Sequence, residues 1–384
     1  MTELPKRSDM DAVLGPLRQE IDELDFQILD LVQKRAKRAI ELGKIKKKSS
    51  FPIMDLSRER QVISRITAKP AEPGEGLGPE AVMSIFTEII KACRAAQAPT
   101  KVAFLGPAGT FSHAAALQQF GRLAHFIPCD DLTQVFEAAQ SGEAEFALVP
   151  FENTTEGIVG QTLDLISKTD LRVQAMLNLK VSLTLMSAHG DLGKIKAISS
   201  HPQALAQCRN WLALNMPGIE LRPTVSSAAG ATLALSDDSC AVIGHPSLAT
   251  FYNLTVMSGD LQDFQHNQTC FLIFSHEDAM PNGNDRTLLW FSAPHNSGSL
   301  YKCLQPLAES GVNLTRLHSR PNVDSPWEYL FFLELDGHFQ DPKVVAAIKA
   351  LEAETEKCRV VGSYHSAEDA VSQAAPKGTA LQNV

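Results

Sequence analysis

No stretch of this 384-residue chain approaches 18 uninterrupted apolar residues, so nothing in it reads as a transmembrane helix. Residues 1–11 are polar and contain no apolar h-region, so no signal peptide is expected. The seven cysteines stand singly at 93, 129, 208, 240, 270, 303 and 358, with no C-x-x-C pair. Their number is odd and no spacing reads as a zinc site, which excludes a full disulfide framework and predicts no metal. Reduced thiols in the cytoplasm are the expectation. Cationic excess is also missing: the net charge of −9 argues against a nucleic-acid partner. There is no internal repeat, no P-loop Gly-Lys-Ser/Thr and no G-x-G-x-x-G. What is present is 44% hydrophobic and 21% charged residues, enough for two or three cores.

Three segments differ in grammar. Residues 12–98 show helical periodicity and almost no strand signal. Leu14, Leu17, Ile21, Leu24, Ile28 and Leu31 recur at steps of three and four, a heptad seam. No proline interrupts from Leu17 to Phe51, which predicts a helix roughly 50 Å long. Such a rod cannot bury its stripe alone, so a partner chain is expected. Asp55 is placed to cap a second helix running to about Lys69, stopped by Pro70. Pro79 opens a third, with Val82, Phe86, Ile89 and Cys93 on one face.

From Lys101 short β-rich runs (Val102–Leu105, Phe146–Val149, Ile195–Ser199, Cys240–Ile243, Cys270–Phe274) alternate with helical ones (Ser112–Phe120, Leu132–Ser141, Pro202–Leu214, Ala228–Leu235), an α/β pattern. The apolar stretch Arg172–Met186 reads as one strand crossing between two lobes. After Pro281-Asn-Gly-Asn-Asp285 the order is strand (Thr287–Ala293), helix (Ser299–Glu309), strands (Asn313–Ser319, Trp327–Leu335), helix (Asp341–Thr355), strand (Cys358–Ser363). This is the βαββαβ order of a ferredoxin-like domain. The expected domains are 8–98, 100–277 and 285–366, with a loose tail at 367–384.

In the helical segment Arg35 stands where the seam calls for an apolar residue, and Arg18, Arg38 and Lys46 lie beside or along it. Periodicity alone leaves open a solvated flank with cationic stems lying over apolar surface. A buried unpaired Arg35 would instead require an anion. Leu17-Arg-Gln-Glu-Ile-Asp-Glu-Leu-Asp25, Arg35, Gly43-Lys-Ile-Lys46, Asp55-Leu-Ser-Arg-Glu-Arg60 and the Phe86–Gln97 helix resemble the all-helical chorismate mutases. The resemblance implies a dimer of interlocked long helices with a site shared between chains. It implies that Arg18, Arg35 and Arg58 bind substrate carboxylates, Arg18 from the other chain. Lys46 and Gln97 would donate to the ether oxygen, and Asp55 and Glu59 would hold the hydroxyl. Cys93 stands where related sequences have serine, a better hydrogen-bond donor.

Leu105-Gly-Pro-Ala-Gly-Thr-Phe-Ser-His113 is a strand–turn–helix entry that could offer backbone N–H groups to an anion or be only a tight turn. With it come Pro150-Phe-Glu-Asn-Thr-Thr-Glu-Gly157, Ser200-His-Pro-Gln-Ala-Leu-Ala-Gln-Cys208, Ser226-Ser-Ala-Ala and Asn267-Gln-Thr-Cys-Phe271. In that order they resemble the prephenate dehydratases, which implies two lobes like those of periplasmic binding proteins closing over a cleft. The resemblance makes Thr269 the donor to the leaving hydroxyl. Glu152, Asn153, Thr154, Ser200 and Gln203 would line the cleft, with Thr110 and Ser112 beside the glycine turn. For each hydroxyl the competing reading is a cap or turn residue, strongest for Ser112. Relatives usually read Thr-Arg-Phe where this chain has Thr269-Cys270-Phe271. Restoring arginine at 270 is expected to raise dehydratase kcat/KM if the partner carboxylate persists.

Gly298-Ser-Leu-Tyr301, Gly311-Val-Asn-Leu314, His318-Ser-Arg-Pro321 and Trp327-Glu-Tyr-Leu-Phe-Phe332 resemble the ACT domain attached to these dehydratases. That implies phenylalanine as effector, held at Gly298, Ser299, Leu300, Asn313, Leu314, His318, Ser319, Arg320 and Pro321. The usual glutamate of that last motif is His318 here. Taken together, the sequence resembles the bifunctional chorismate mutase/prephenate dehydratases (P-proteins), which act on chorismate and prephenate without metal or cofactor. A mutase fused to an impaired dehydratase serving as a sensor is the alternative.

Overall fold

The computed structural model describes residues 7–48, 56–69, 76–322, 325 and 328–365. It divides into two compact units, Met1–Pro99 and Thr100–Val384.

The first unit holds α1 (Arg7–Lys48), α2 (Leu56–Thr67) and α3 (Pro79–Ala95). The 42 residues of α1 span about 63 Å. The helix runs through Pro16 instead of starting after it. Its seam is bare: Leu17, Ile21, Leu24, Ile28 and Leu31 are 53–64% exposed. Pro79 takes the first helical position of α3 behind Gly78, as expected, where its missing N–H costs nothing. The buried positions of α3 are Ile90, Cys93 and, unexpectedly, Arg94. Asp55 and Pro70 lie outside the described residues.

The second unit begins as an α/β lobe: β1 (Lys101–Leu105), α4 (Phe111–Phe120), β2 (His125–Cys129), α5 (Leu132–Gln140), β3 (Phe146–Asn153), β4 (Gly157–Ile158), α6 (Gly160–Lys168) and β5 (Arg172–Lys180). A second lobe follows with β6 (Thr184–Ser187), β7 (Ala197–Ser200), α7 (Pro202–Gln207), α8 (Arg209–Asn215), β8 (Glu220–Pro223), α9 (Ser227–Ser236), β9 (Cys240–Gly244), α10 (Ser247–Tyr252) and β10 (Thr255–Ser258), after which β11 (Gln268–Ser275) returns to the first. Strand β1 runs parallel to β2 and β3, and β11 lies antiparallel between β3 and β5. Residues 102–104 and 146–149 are buried on both faces, which is why they read as continuous apolar runs. The second sheet has the order β10-β6-β9-β7-β8.

Two expectations are corrected here. Arg172–Met186 is not one crossing strand but β5 and β6, with Val181–Leu183 as the link between sheets. That link is bonded to the returning chain by Val181 N to Asn267 O and Leu261 N to Leu183 O, both 2.9 Å. The expected helix 202–214 is α7 and α8, broken at Cys208.

The remainder is β12 (Asp285–Ser292), α11 (Ser299–Glu309), β13 (Leu314–Pro321), β14 (Tyr329–Asp336), α12 (Pro342–Ala353) and β15 (Lys357–His365). Its strands lie in the order β13-β14-β12-β15, all neighbours antiparallel. Alternation divides its apolar residues between two cores. Leu289, Phe291, Leu333 and Leu335 face α11 and α12, whereas Leu288, Leu330, Phe332 and Tyr364 join Phe151, Leu163 and Val173 of the first lobe. Strand β15 also bridges β5 at His365 and Ala175, so the loop at Pro281–Asp285 interrupts neither sheet nor core.

Candidate functional sites

In the first unit Arg35 and Lys46 are eleven residues apart, three helical turns, and therefore share a face of α1 about 16 Å apart. Both are half-buried, and among the described residues no carboxylate pairs with Arg35. Gln97, just past α3, packs on the same helix. A Cβ on Gly43 would lie 2.8 Å from Gln97 Cβ, and Gln97 Oε1 is buried without a partner. Arg18 is exposed and lies 28 residues before Lys46, about 42 Å along a continuous helix, so one chain does not bring the two together.

Glu59 gives both carboxylate oxygens to Arg94, at 2.9 and 3.0 Å, joining α2 to α3. Arg94 is 3% exposed, and Cys93 beside it is buried too. Sequence reasoning missed Arg94. Its signal was a cation four residues beyond Ile90 on the apolar face. Arg58 is exposed, and Asp55 lies outside the described residues.

In the second unit Thr269, the second residue of β11, lies directly opposite Asn153 at the end of β3. Asn153 Nδ2 donates to Thr269 Oγ1 at 2.9 Å and to Asn267 Oδ1 at 3.0 Å. Its Oδ1 accepts from Thr155 and Glu156, so the amide is fixed in orientation. Thr154 Oγ1 closes the ring by donating to Asn267 Oδ1 at 3.1 Å and accepting from Gln268 N. Thr269 is thus held as an acceptor, with its own proton left to donate.

The glycine turn lies near the second lobe. Gly109 has φ +86, and a Cβ there would meet Leu248 Cδ2 of α10 at 2.7 Å, so both conformation and space demand glycine. Phe111 meets His245 edge-on at 5.2 Å. Thr110 is the cap of α4, accepting from His113 N at 3.4 Å and donating to Pro107 O at 2.9 Å. The cap expected at Ser112 therefore falls two residues earlier, and Ser112 is a buried residue of the first turn. Ser200 is fully buried; its hydroxyl bonds Ile243 O and lies 3.0 Å from Ser227 Oγ. Gln203 is exposed at the start of α7, its N–H donating to His201 Nδ1.

Strand β13 presents an alternating polar stripe to the first lobe. Arg316 Nε pairs with Glu152 at 3.2 Å, the His318 ring meets Phe151 at 6.1 Å, and Arg320 grips Asp164 of α6 at 2.8 and 2.6 Å. His318 and Arg320 were singled out from sequence and Arg316 was not. Burial holds the His318 imidazole below its usual range, and its Nε2 is buried without a partner. Ser319 is exposed, and Pro321 ends the strand. Gly298 is left-handed at the entry to α11, ahead of Ser299 and Leu300, while Asn313 and Leu314 follow the other end of that eleven-residue helix, about 16 Å away. One chain therefore separates these two groups. Among the described residues no cluster of three or more His, Cys, Asp or Glu is placed to hold a metal, and no helix is long and apolar enough to cross a membrane.

Residues 17–98 match the family model for chorismate mutase type II, and residues 102–279 that for prephenate dehydratase. The bifunctional chorismate mutase/prephenate dehydratase of Aquifex aeolicus is 38% identical over 355 residues, covering 92% of this chain and 98% of that one. Among solved structures, the prephenate dehydratase of Arthrobacter aurescens in complex with L-Phe superposes with a TM-score of 0.65 at 35% identity, covering 70% of this chain and 90% of that one. A protein described as a novel type of quorum quenching acylase, GqqA, reaches 0.64 at 27% identity, covering 70% of this chain and 98% of its own. This chain belongs to the family of bifunctional chorismate mutase/prephenate dehydratases.

Proposed function

We propose that the chain converts chorismate to prephenate in its helical unit and prephenate to phenylpyruvate in the cleft of its second unit, under control by phenylalanine. The first reaction is pericyclic and calls for no nucleophile or proton transfer. The protein contributes by holding the reactive conformer and by placing donors at the ether oxygen as charge grows there. Lys46 and Gln97 are those donors. Arg35 and Arg58 take carboxylates, Asp55 the hydroxyl, and Cys93 borders the pocket. Arg18 comes from a second chain, because its own helix holds it about 42 Å from Lys46.

In the second reaction the bond to the ring carboxylate breaks and carbon dioxide leaves. The electron pair passes through the ring and expels the hydroxyl, which takes a proton from Thr269 and departs as water, and the threonine oxygen regains its proton from solvent. Aromatisation drives the step, and neither reaction calls for a metal or organic cofactor. The observation that carries this half is the Thr269 hydroxyl, fixed by Asn153 with its proton left to give. Glu152, Thr154, Gln203, Thr110 and Ser112 frame the cleft, and Ser200 supports its wall from within.

On this reading residues 8–98 are the mutase domain, 100–277 the dehydratase domain and 285–366 a ferredoxin-like ACT domain. The effector site forms between two copies of that last domain, since Gly298 to Leu300 and Asn313 to Leu314 stand at opposite ends of one helix. A cytoplasmic homodimer is the smallest assembly that completes both shared sites. The test is a coupled assay of the purified protein with chorismate, following prephenate and then phenylpyruvate. Prephenate accumulating without phenylpyruvate would leave only the mutase half standing.

A further inference from the structure

Glu152 stands beside Asn153 on β3, and directly opposite it across the ladder to β11 is Cys270. Side chains so paired share a face and lie within about 5 Å of each other. Cys270 is 6% exposed, and burial pushes its thiol up to about 12, so it offers Glu152 no charge. The cation at this spot arrives from β13. Arg316 places Nε 3.2 Å from Glu152 Oε2 and Nη1 3.5 Å from Met176 Sδ on β5. Strand β11 runs between β3 and β5, so the guanidinium lies across β11 at Cys270.

The same Nη1 lies 2.6 Å from Glu334 Oε2. Glu334 is 1% exposed and also takes Arg286 at 2.9 Å, Thr315 at 2.5 Å and the Tyr364 hydroxyl. Burial alone would raise its carboxyl. The Arg316 charge and the Thr315 and Tyr364 hydrogen bonds offset this and hold it below the usual range. A buried carboxylate this fully bonded fixes Arg316 before it reaches Glu152.

We propose that Arg316 is a positioning residue of the dehydratase: anchored by Glu334, it holds Glu152, and through the β3 backbone that Glu152 shares with Asn153, whose side chain leaves the opposite face, the Thr269 hydroxyl, in place of a cation at position 270. This rests on the dehydratase reading of the Thr269 cleft. It also gives the C-terminal segment a direct hold on that cleft, because any movement of β13 against β3 is felt at Glu152. The competing view is an ion pair that merely fastens the C-terminal sheet. Losing such a fastener would lower thermal stability without a specific change in turnover, and a second substitution at 270 would not repair it.

The experiment uses the full chain and measures both reactions on each preparation, the mutase rate reporting the first unit and a thermal melt the second, which carries the substitution. If the unaltered protein makes no phenylpyruvate from prephenate, the dehydratase reading fails, whatever Arg316 does. Given that activity, Arg316→Ala is expected to lower dehydratase kcat roughly 10- to 100-fold, the scale of one charge-assisted hydrogen bond, with KM for prephenate changed far less. Adding Cys270→Arg to Arg316→Ala is expected to recover about tenfold or more of that loss. If Arg316→Ala does not fold, Arg316→Gln still donates to Glu334 without the charge and is expected to show the same fall in kcat. Unaltered kcat in Arg316→Ala or Arg316→Gln overturns the proposal, as does a double variant no better than Arg316→Ala.

Discussion

Gly43 and Gln97 approach so closely that a Cβ on the glycine would lie 2.8 Å from Gln97 Cβ and 3.3 Å from its Oε1. The helix therefore has a flat spot against which the Gln97 side chain rests, one turn before Lys46. Gly43→Ala would improve helix propensity and still do harm, because overpacking costs about 1–3 kcal/mol and Gln97 must move. We expect mutase kcat/KM to fall roughly tenfold or more while dehydratase turnover stays unchanged. Equal mutase rates for Gly43→Ala and the unaltered chain would mean that the place of Gln97 is unimportant to the reaction.

Local patterns were legible where alternation or helical spacing ran clean. In the C-terminal segment the pattern places α11 at Ser299–Glu309, where it lies, and the four strands within a few residues. Strands β2, β8 and β10 escaped because they carry few buried residues and no alternating stripe. The shared core was hidden for a different reason. Leu288 and Leu289 are adjacent and both buried, and nothing local says that one faces α11 and α12 and the other a different lobe. Arg94 and Arg316 were passed over because a cation in an amphipathic element reads as surface. Each is tied to a glutamate far away in sequence, Glu59 or Glu152, and only the fold brings those pairs together.

The exposed seam of α1 carries a prediction about assembly. Leu17, Ile21, Leu24, Ile28 and Leu31 form a stripe that a monomer leaves in water, and each buried leucine or isoleucine contributes about 1.5–3 kcal/mol. Leu24→Asp is expected to shift the chain towards monomer in sedimentation at micromolar concentration. It should also lower mutase turnover by separating Arg18 from the other chain's Lys46. A dimer of undiminished stability in Leu24→Asp would place the contact elsewhere.

Cys270→Arg in the otherwise unaltered chain is expected to do the opposite of what the sequence suggested. Position 270 is 6% exposed, and the Arg316 guanidinium already lies across it. A second guanidinium would crowd a filled space and repel the first, which costs roughly 1–3 kcal/mol from overpacking alone. Melting temperature and dehydratase kcat/KM should both drop. A rise in kcat/KM would mean that the pocket retains an unsatisfied carboxylate.

His245 sets a pH dependence of stability. Its Nδ1 accepts from Ser247 N at 3.1 Å and lies 2.8 Å from Ser247 Oγ, and burial lowers the imidazole to about 4. The unfolded chain, near 6.5, binds more protons than the folded one between those values. The contribution is therefore fully present above about pH 6.5 and is lost as pH falls towards 4. Thermal melts of His245→Gln and the unaltered chain from pH 7 to 4.5 should converge as pH falls, since carboxylate titration is common to both. A constant gap in melting temperature would show that this imidazole titrates normally.

Arg320 and Asp164 join the C-terminal sheet to α6 through two bonds of 2.8 and 2.6 Å, and Gly160 leaves room for them: a Cβ there would lie 2.5 Å from Arg320 Nη1. The side-chain hydrogen bonds to Asp164 raise the Arg320 pKa, against the opposing effect of burial. The pair is partly exposed, with side chains 36% and 25% accessible, so its stabilising effect is at most about 1 kcal/mol. Its larger consequence is for coupling. On the function proposed above, phenylalanine bound between two C-terminal domains slows the dehydratase only through contacts that differ between two states, and the β13 stripe is one such contact, beside the β15–β5 bridge and the shared core. Asp164→Asn keeps the shape and removes the charge. We expect phenylalanine to bind with nearly unchanged heat and affinity in calorimetry, while the concentration that halves dehydratase turnover rises up to about fivefold, the equivalent of 1 kcal/mol. Weakened binding in step with weakened inhibition would instead put Asp164 in the effector pocket. Unchanged inhibition would take this contact out of the route altogether.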